Sequence, residues 1–266
     1  MPGQASPGQE SPDQESPQRG GTTIKLLTVN VHKGFTLFNR RFILHELKAA
    51  LRDAGPDIVF LQEVIGTHHR HARRLAAWPA TSQYEFLADS LWSDFAYGRN
   101  AVYPDGDHGN AVLSRWPIVT HKNHDVSVDN HESRGMLHCT VRHPDLAGDM
   151  HAVCVHLGLR EAHRRAQLGQ LCALVQRLGD DAPVLVGGDF NDWRRRASPL
   201  LAGCRLHDVF RRALGREPRT YPARWPLLAL DRIYVRDVAA ARPVALASRV
   251  WRHLSDHAPL AAEVRL

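Results

Sequence analysis

Residues 183–193, Pro-Val-Leu-Val-Gly-Gly-Asp-Phe-Asn-Asp-Trp, constrain the fold of this chain more than any other stretch. Val184, Leu185 and Val186 suit a strand covered on both faces, and Gly187 and Gly188 allow close backbone approach just before the polar residues begin. Asp189 and Asn191 stand two apart on an extended backbone, so both point to one side and offer a carboxylate and an amide to a common ligand. An acidic turn that merely ends a strand would read the same way. The rest of the chain has to decide between the two.

Polar residues gather at strand ends elsewhere. Residues 24–31 form a β-branched run ending at Asn30, with His32, Lys33 and Gly34 close behind. Residues 41–54 carry Ile43, Leu44, Leu47, Ala50, Leu51 and Ala54 at helical spacing, and Gly55-Pro56 stops them. Residues 57–64 are a second buried strand, ending in Gln62-Glu63. Strand, helix, strand in this order favours a parallel pair with both ends on one edge, which would make Asn30 and Glu63 neighbours.

Residues 95–103, 109–116, 135–143 and 151–157 read as short strands of an antiparallel meander, the last ending in His156. The clearest helix is 161–178, with Leu168, Leu171, Cys172, Val175 and Leu178 on one stripe. It leads into the Asp189 strand. Asp231 opens another strand at 230–235, and Ser255-Asp256-His257 precedes a terminal one. Irregular connections at 103–108, 121–134 and 193–200 are candidates for substrate-holding loops.

Composition narrows the function classes. A chain of 266 residues suits one large domain, and no apolar run approaches the length of a membrane span. The first twenty residues repeat Ser-Pro among Gln, Glu, Asp and Gly, with almost nothing to bury. They read as a disordered tail without the features of a secretory signal, dispensable for chemistry, and a cytoplasmic location follows as the expectation. Residues 22–266 form the remaining domain. Cys139, Cys154, Cys172 and Cys204 are widely spaced with no Cys-x-x-Cys pair, and read as reduced, buried thiols. His68, His69 and His71 lack an acid or cysteine at ligand spacing, so they read as a surface helix. A formal charge of +6 favours an anionic partner: nucleic acid, a phospholipid head group or a small phosphate. Arg194, Arg195 and Arg196 lie directly after the Asp189 stretch.

Six polar clusters thus stand at strand termini: Asn30, Glu63, His156, Asp189 with Asn191, Asp231, and Asp256 with His257. A hard divalent cation takes oxygen ligands, which Glu63, Asp256 and the Asn30 amide can supply in part. Two histidines with carboxylate partners can manage protons. Gln62-Glu63, Gly188-Asp189-Phe190-Asn191, Leu230-Asp231-Arg232-Ile233 and Ser255-Asp256-His257, with Asn30 on the first strand, resemble the motifs of the endonuclease/exonuclease/phosphatase superfamily, over essentially all of residues 22–266. The nearest resemblance is to stand-alone bacterial members.

The resemblance implies an α/β fold, a four-layer αββα sandwich of two mixed β-sheets with helices on the outer faces and the site at one edge. It implies hydrolysis of a phosphoester with Mg²⁺ or Mn²⁺, by in-line attack of water. It makes Glu63 the principal metal ligand, assisted by Asn30 and Asp256. Asn191 would bind phosphate, Asp231 would orient His257, and His156 would contact phosphate or protonate the leaving group. Either Asp189 or the Asp231-His257 pair would activate the water. One departure stands out: His32 occupies the place of an acid found in abasic-site endonucleases.

His32, Tyr97, Arg99, Asn100, Asn110, Arg160 and Trp193 are candidates for the pocket rim. Positive charge, Arg194–Arg196, and Trp193 and Trp251 read as exposed rings make a nuclease the first expectation. A phospholipid or small-molecule phosphodiesterase, in peripheral contact with an anionic surface, is the second. A non-catalytic phosphate-binding module is the third. A monomer is expected.

Overall fold

The structure is a computed structural model and describes residues 21–36, 38, 40–89, 91–129 and 132–266; the expected N-terminal tail lies outside the described residues. The opening strand β1 (Thr23–Asn30) is followed by α1 (Leu44–Ala54) and β2 (Ile58–His68). As the strand-helix-strand order predicts, β1 and β2 pair in parallel, with Asn30 opposite Gln62. Helix α1 ends where Gly55 turns left-handed at φ 57°, a conformation glycine adopts without a Cβ penalty.

The short helices α2 (His69–Arg74) and α3 (Gln83–Ala88) precede β3 (Asp94–Tyr103), β4 (Gly106–Ser114) and β5 (Ile118–Asp125). Then come β6 (Gly135–Val141), β7 (Met150–His156), α4 (Glu161–Gln176) and β8 (Val184–Asp189). The last third holds α5 (Ala197–Leu201), β9 (His207–Asp208), α6 (Val209–Leu214), β10 (Asp231–Arg236), β11 (Ala240–Val244), α7 (Ser248–Trp251) and β12 (Leu260–Arg265). The strands form two six-stranded mixed sheets, β11-β12-β1-β2-β4-β3 and β5-β6-β7-β8-β10-β9.

Alternation along each strand builds the layers. Leu26, Phe60, Val112, Leu137, Cys154, Leu185, Ile233 and Leu260 face inward and meet between the sheets. Their sequence neighbours face outward: Leu27, Val29, Val59 and Leu61 pack under Leu44, Leu47 and Leu51 of α1. On the other outer face, Val153, Val155, Val184 and Val186 pack under Leu168, Leu171 and Val175 of α4. Both faces of the central strands are therefore dry, which is why they read as continuous apolar runs. The expected four-layer sandwich is what the chain forms.

Two expectations are corrected. The middle strands are not one meander: β3 and β4 close the first sheet as a hairpin, and the chain crosses to the second sheet before β5, β6 and β7. Strand β5 runs into the segment expected to be a loop, overlapping it at 121–125, because it is an edge strand whose Val119, Thr120, His121 and Lys122 are exposed, leaving little apolar pattern to see. Second, Cys172 and Cys204 are not reduced thiols; a disulfide joins them. Packing of α4 against the turn after α5 brings their Cα atoms to 5.4 Å, a proximity that spacing of 32 residues does not announce. Cys139 and Cys154 are free and buried, as expected.

At the sheet interface a Cβ on Gly187 would sit 2.4 Å from Cδ2 of the fully buried Phe60 ring. Gly187→Ala should therefore overpack the core and cost about 1–3 kcal/mol, read as a lower urea midpoint with unchanged slope. Combining it with Phe60→Leu should recover part of the loss; a Gly187→Ala protein as stable as wild type would contradict this packing.

Candidate active site

Register places the site before any side chain is considered. Parallel pairing of β7 with β8 sets His156 opposite Asp189, and antiparallel pairing of β10 sets Asp231 opposite the same residue. In the first sheet β1 ends at Asn30, and a bulge between Leu61 and Val64 breaks the β2–β4 ladder at Glu63. Glu63 has φ 56° there, a region non-glycine residues seldom occupy. His32, Lys33 and Asn191 also have positive φ, so the backbone around the site is held in costly conformations.

The two sheet ends converge on one carboxylate. The Asn30 amide nitrogen donates to Glu63 Oε1 at 3.2 Å and to Asp189 Oδ2 at 3.3 Å. The same Asp189 oxygen lies 3.6 Å from His156 Nε2 and 3.8 Å from His257 Nε2. Its other oxygen accepts the backbone N–H of Asn191 at 2.9 Å. Behind His257, Nδ1 is 2.9 Å from Asp231 Oδ2, and the Tyr221 ring lies 5.0 Å away. Ser255 Oγ donates to the Asn30 carbonyl at 2.6 Å, and the His257 backbone N–H donates to that hydroxyl, so the Ser-Asp-His turn is tied to β1.

Burial and charge then divide the protons. Burial pushes the Asp189 carboxyl up to about 6, against the pull of His257 and its hydrogen bonds toward the ionised form. Burial alone would strip His257 of its proton, but Asp231 and Asp189 outweigh it and raise the imidazole to about 10. His156 goes the other way: burial and Arg134 hold it well below the usual range, so it is neutral at physiological pH. One histidine is thus a cation and the other a neutral hydrogen-bonding group, a few ångströms apart.

Beside this centre is a second acidic position. Burial opposes the charge on Glu63, but His156, then Lys33, with Nζ at 3.8 Å, and the Asn30 amide outweigh it and hold its carboxyl at about 2. His32 Nδ1 sits between Asp256 Oδ2 at 3.3 Å and Glu63 Oε2 at 4.0 Å. An imidazole nitrogen thus lies between the two carboxylates. An ionised Glu63, a facing Asp256 and the Asn30 amide form a donor set that fits a hard divalent cation. A different group among the described residues, Asp189, Asp231 and His257, brings its possible ligand atoms within 4.8 Å of one another. The Asp231–His257 hydrogen bond makes that group suited to holding a proton.

The expected site residues sort clearly. Asn30, Glu63, His156, Asp189, Asn191, Asp231, Asp256 and His257 are all at the centre or directly against it. Asn191 already donates one amide hydrogen to the Leu157 carbonyl at 2.9 Å, leaving the other for a ligand. Among the rim candidates only His32 reaches the centre. Asn110 is not on a rim: it is fully buried and donates to the Gly135 carbonyl at 2.9 Å. Tyr97 is half-buried and donates to Asp107 at 2.6 Å. Arg99 and Asn100 engage Asn123 of β5 through their oxygens, and Arg160 pairs with Asp129 at 3.4 Å.

Trp193 is partly exposed but lies under the Arg164 guanidinium at 4.3 Å. Trp251, expected to be exposed, is only 5% exposed and belongs to the core beneath α1. Asp192 caps α5 by accepting the Ala197 N–H at 2.7 Å. Lys33, Arg134 and Tyr221 were not foreseen. Only Lys33 carried a signal, standing just after the Asn30 strand.

Comparison with known proteins agrees with the fold. The model of the family described as "Endonuclease/Exonuclease/phosphatase family" matches residues 27–257. The uncharacterized protein YbhP of Escherichia coli (strain K12) is 59% identical over 245 residues, 92% of this chain and 97% of that one. A crystal structure of an endonuclease/exonuclease/phosphatase from Beutenbergia cavernae has a TM-score of 0.74 at 23% identity, over 92% of this chain and 72% of the other. Truncated Caenorhabditis elegans TDP2 has a TM-score of 0.66 at 18% identity, over 92% and 98%. At these identities the structural matches speak for the fold.

The charge division gives a sign for pH. His257 is raised to about 10 in the folded chain, whereas an unfolded histidine titrates near 6.5. Its protonation therefore stabilises the fold fully below about pH 6.5, and the contribution is lost as pH rises toward 10. In a ¹³C-resolved NMR titration His257 should titrate near 10 in the wild type and distinctly lower in Asp231→Asn. Coincident titrations would contradict the pairing.

Proposed function

The chain belongs to the endonuclease/exonuclease/phosphatase family, and on that premise we propose that it is a divalent-metal-dependent hydrolase of phosphodiesters. The observation that carries this reading is the Asp189 carboxylate shared by Asn30, His156 and His257, one hydrogen bond from Glu63. Glu63 and Asp256, with Asn30, would hold Mg²⁺ or Mn²⁺. When bound, the ion supplies charge neutralisation at a non-bridging phosphate oxygen.

The chain's own groups account for the rest. Above about pH 6 Asp189 is ionised and able to take a proton from an attacking water. His257, held as a cation by Asp231, stabilises charge building on phosphorus. Neutral His156 donates one hydrogen bond, to phosphate or to the departing oxygen. The free amide hydrogen of Asn191 provides another.

Net charge of +6 and an anionic substrate leave nucleic acid as the first reading. Its local support is reduced by internal pairing: Arg194 and Arg196 both bind Glu161, and Arg195 lies 3.6 Å from Glu217. A phospholipid phosphodiester is the second reading, and an exposed apolar loop against the site favours it, as argued below.

Turnover should be measured on plasmid DNA, single-stranded RNA, phospholipid and bis(p-nitrophenyl) phosphate, with Mg²⁺, Mn²⁺ or EDTA. At least one substrate should turn over only with metal. Glu63→Gln should lose at least about a hundredfold, as expected when several kcal/mol of charge stabilisation vanish. Turnover that persists in EDTA, or in Glu63→Gln, would overturn the reading.

A further inference from the structure

Residues 221–228 form a loop closed on itself. Tyr221 and Leu228 pair across its base, and the Leu227 and Leu228 N–H groups both donate to the Tyr221 carbonyl at 2.8 Å. From its tip down to its base, Arg224-Trp225-Pro226-Leu227-Leu228 is exposed throughout. Trp225 is 68% exposed, Leu227 65% and Leu228 40%, so four consecutive apolar residues stand in water. Across a cleft of about 320 Å³ stands Phe38, 73% exposed. The cleft is also lined by Arg40, Arg224 and Arg252 and reaches Asp256. An exposed apolar patch of this kind marks an interaction surface.

The loop is also wired to the site. Its Ala223 N–H donates to the Asp256 carbonyl at 2.7 Å, and its Tyr221 ring packs on His257. Just before it, Thr220 Oγ1 accepts the N–H of Asp231 at 3.3 Å, and the Thr220 carbonyl accepts the Ala258 N–H at 2.8 Å. Whatever seats on the tip is therefore presented to the reacting groups at a fixed distance.

We propose that this rim docks the protein onto an anionic phospholipid surface, with Trp225, Leu227, Leu228 and Phe38 entering the interface. Their flanking arginines would lie at the head groups. This rests on the phosphodiesterase reading for its purpose, since it makes the substrate a lipid phosphodiester drawn from that surface. Two features favour a bilayer over nucleic-acid bases. The Phe38 and Trp225 rings already carry Arg40 and Arg224 against them, at 5.5 and 4.9 Å, so each ring has less free face for stacking. Leu227 and Leu228 have no ring to stack, whereas aliphatic side chains gain by leaving water for acyl chains. Among the described residues Arg40, Arg224 and Arg252 make no ion pair with a carboxylate, leaving their charge for lipid phosphates.

Docking can be read apart from chemistry by flotation in EDTA, using the full chain and its Glu63→Gln variant. The vesicles are phosphatidylcholine, alone or mixed with phosphatidylglycerol. Both proteins should float with the anionic vesicles and much less with the neutral ones. Trp225→Ser/Leu227→Ser and Arg40→Gln/Arg224→Gln should each bind at least about tenfold more weakly, the first losing apolar side chains that leave water and the second losing cationic contacts to the head groups. Circular dichroism checks that they fold. Absence of flotation by the wild type, or equal flotation of the variants, overturns the proposal. Binding of a single-stranded oligonucleotide that is lost in the variants, with no vesicle binding, reassigns the rim to nucleic acid. Flotation without turnover of any phosphodiester leaves the dock standing and sinks the catalytic reading instead.

Discussion

A single buried carboxylate, Asp189, is the constraint on which the rest of the site depends. Taking a carboxylate out of water is costly unless hydrogen bonds and charge replace its hydration. Here the replacements come from both sheets: the Asn30 amide from the first, His156 and the Asn191 backbone from the second, and His257 from the turn before the last strand. Because these partners lie on separate strands and turns, the polar cluster forms only when the sandwich closes. The same network leaves Asp189 near neutrality in its titration and His257 firmly charged, a split that one kind of environment could not produce.

The β-sandwich supplies this precision through register. His156, Asp189 and Asp231 are direct cross-strand neighbours on β7, β8 and β10, so their separation is set by strand spacing and not by flexible loops. Glu63 is the exception, displaced from its ladder by a bulge and held at positive φ. Strain at that residue is tolerated because the dry layers on either side of β2 hold it in place. The loop 221–228 extends the same logic outward, since its base is bonded to the turn that carries Asp256 and His257.

Much of this was legible in the sequence, because strands buried on both faces announce themselves as apolar runs and their polar ends stand out. Asn30, Glu63, His156, Asp189, Asp231 and His257 were found that way, and the motif order supplied the sandwich. Features set by tertiary packing were less visible. The edge strand β5 shows few buried positions, and the Cys172–Cys204 bond depends on how α4 meets the turn after α5. Trp251, expected to be exposed, fills the core below α1. Conversely, Trp-Pro-Leu-Leu at 225–228 is an apolar stretch that stands in water. Of the expected rim residues, Asn100 accepts a hydrogen bond from Asn123, Arg160 pairs with Asp129, and Arg99 lends Asn123 only its backbone carbonyl.

The most direct test of the account is turnover of a soluble phosphodiester with Mg²⁺ by Asp189→Asn, beside its thermal unfolding. Asparagine keeps the shape and removes a buried charge, so the variant should unfold as cooperatively as wild type. It should lose about 10²–10⁴-fold in kcat, the usual worth of a positioned acid or base. A folded Asp189→Asn protein that turns over at the wild-type rate would show that the shared carboxylate is structural and would contradict the account.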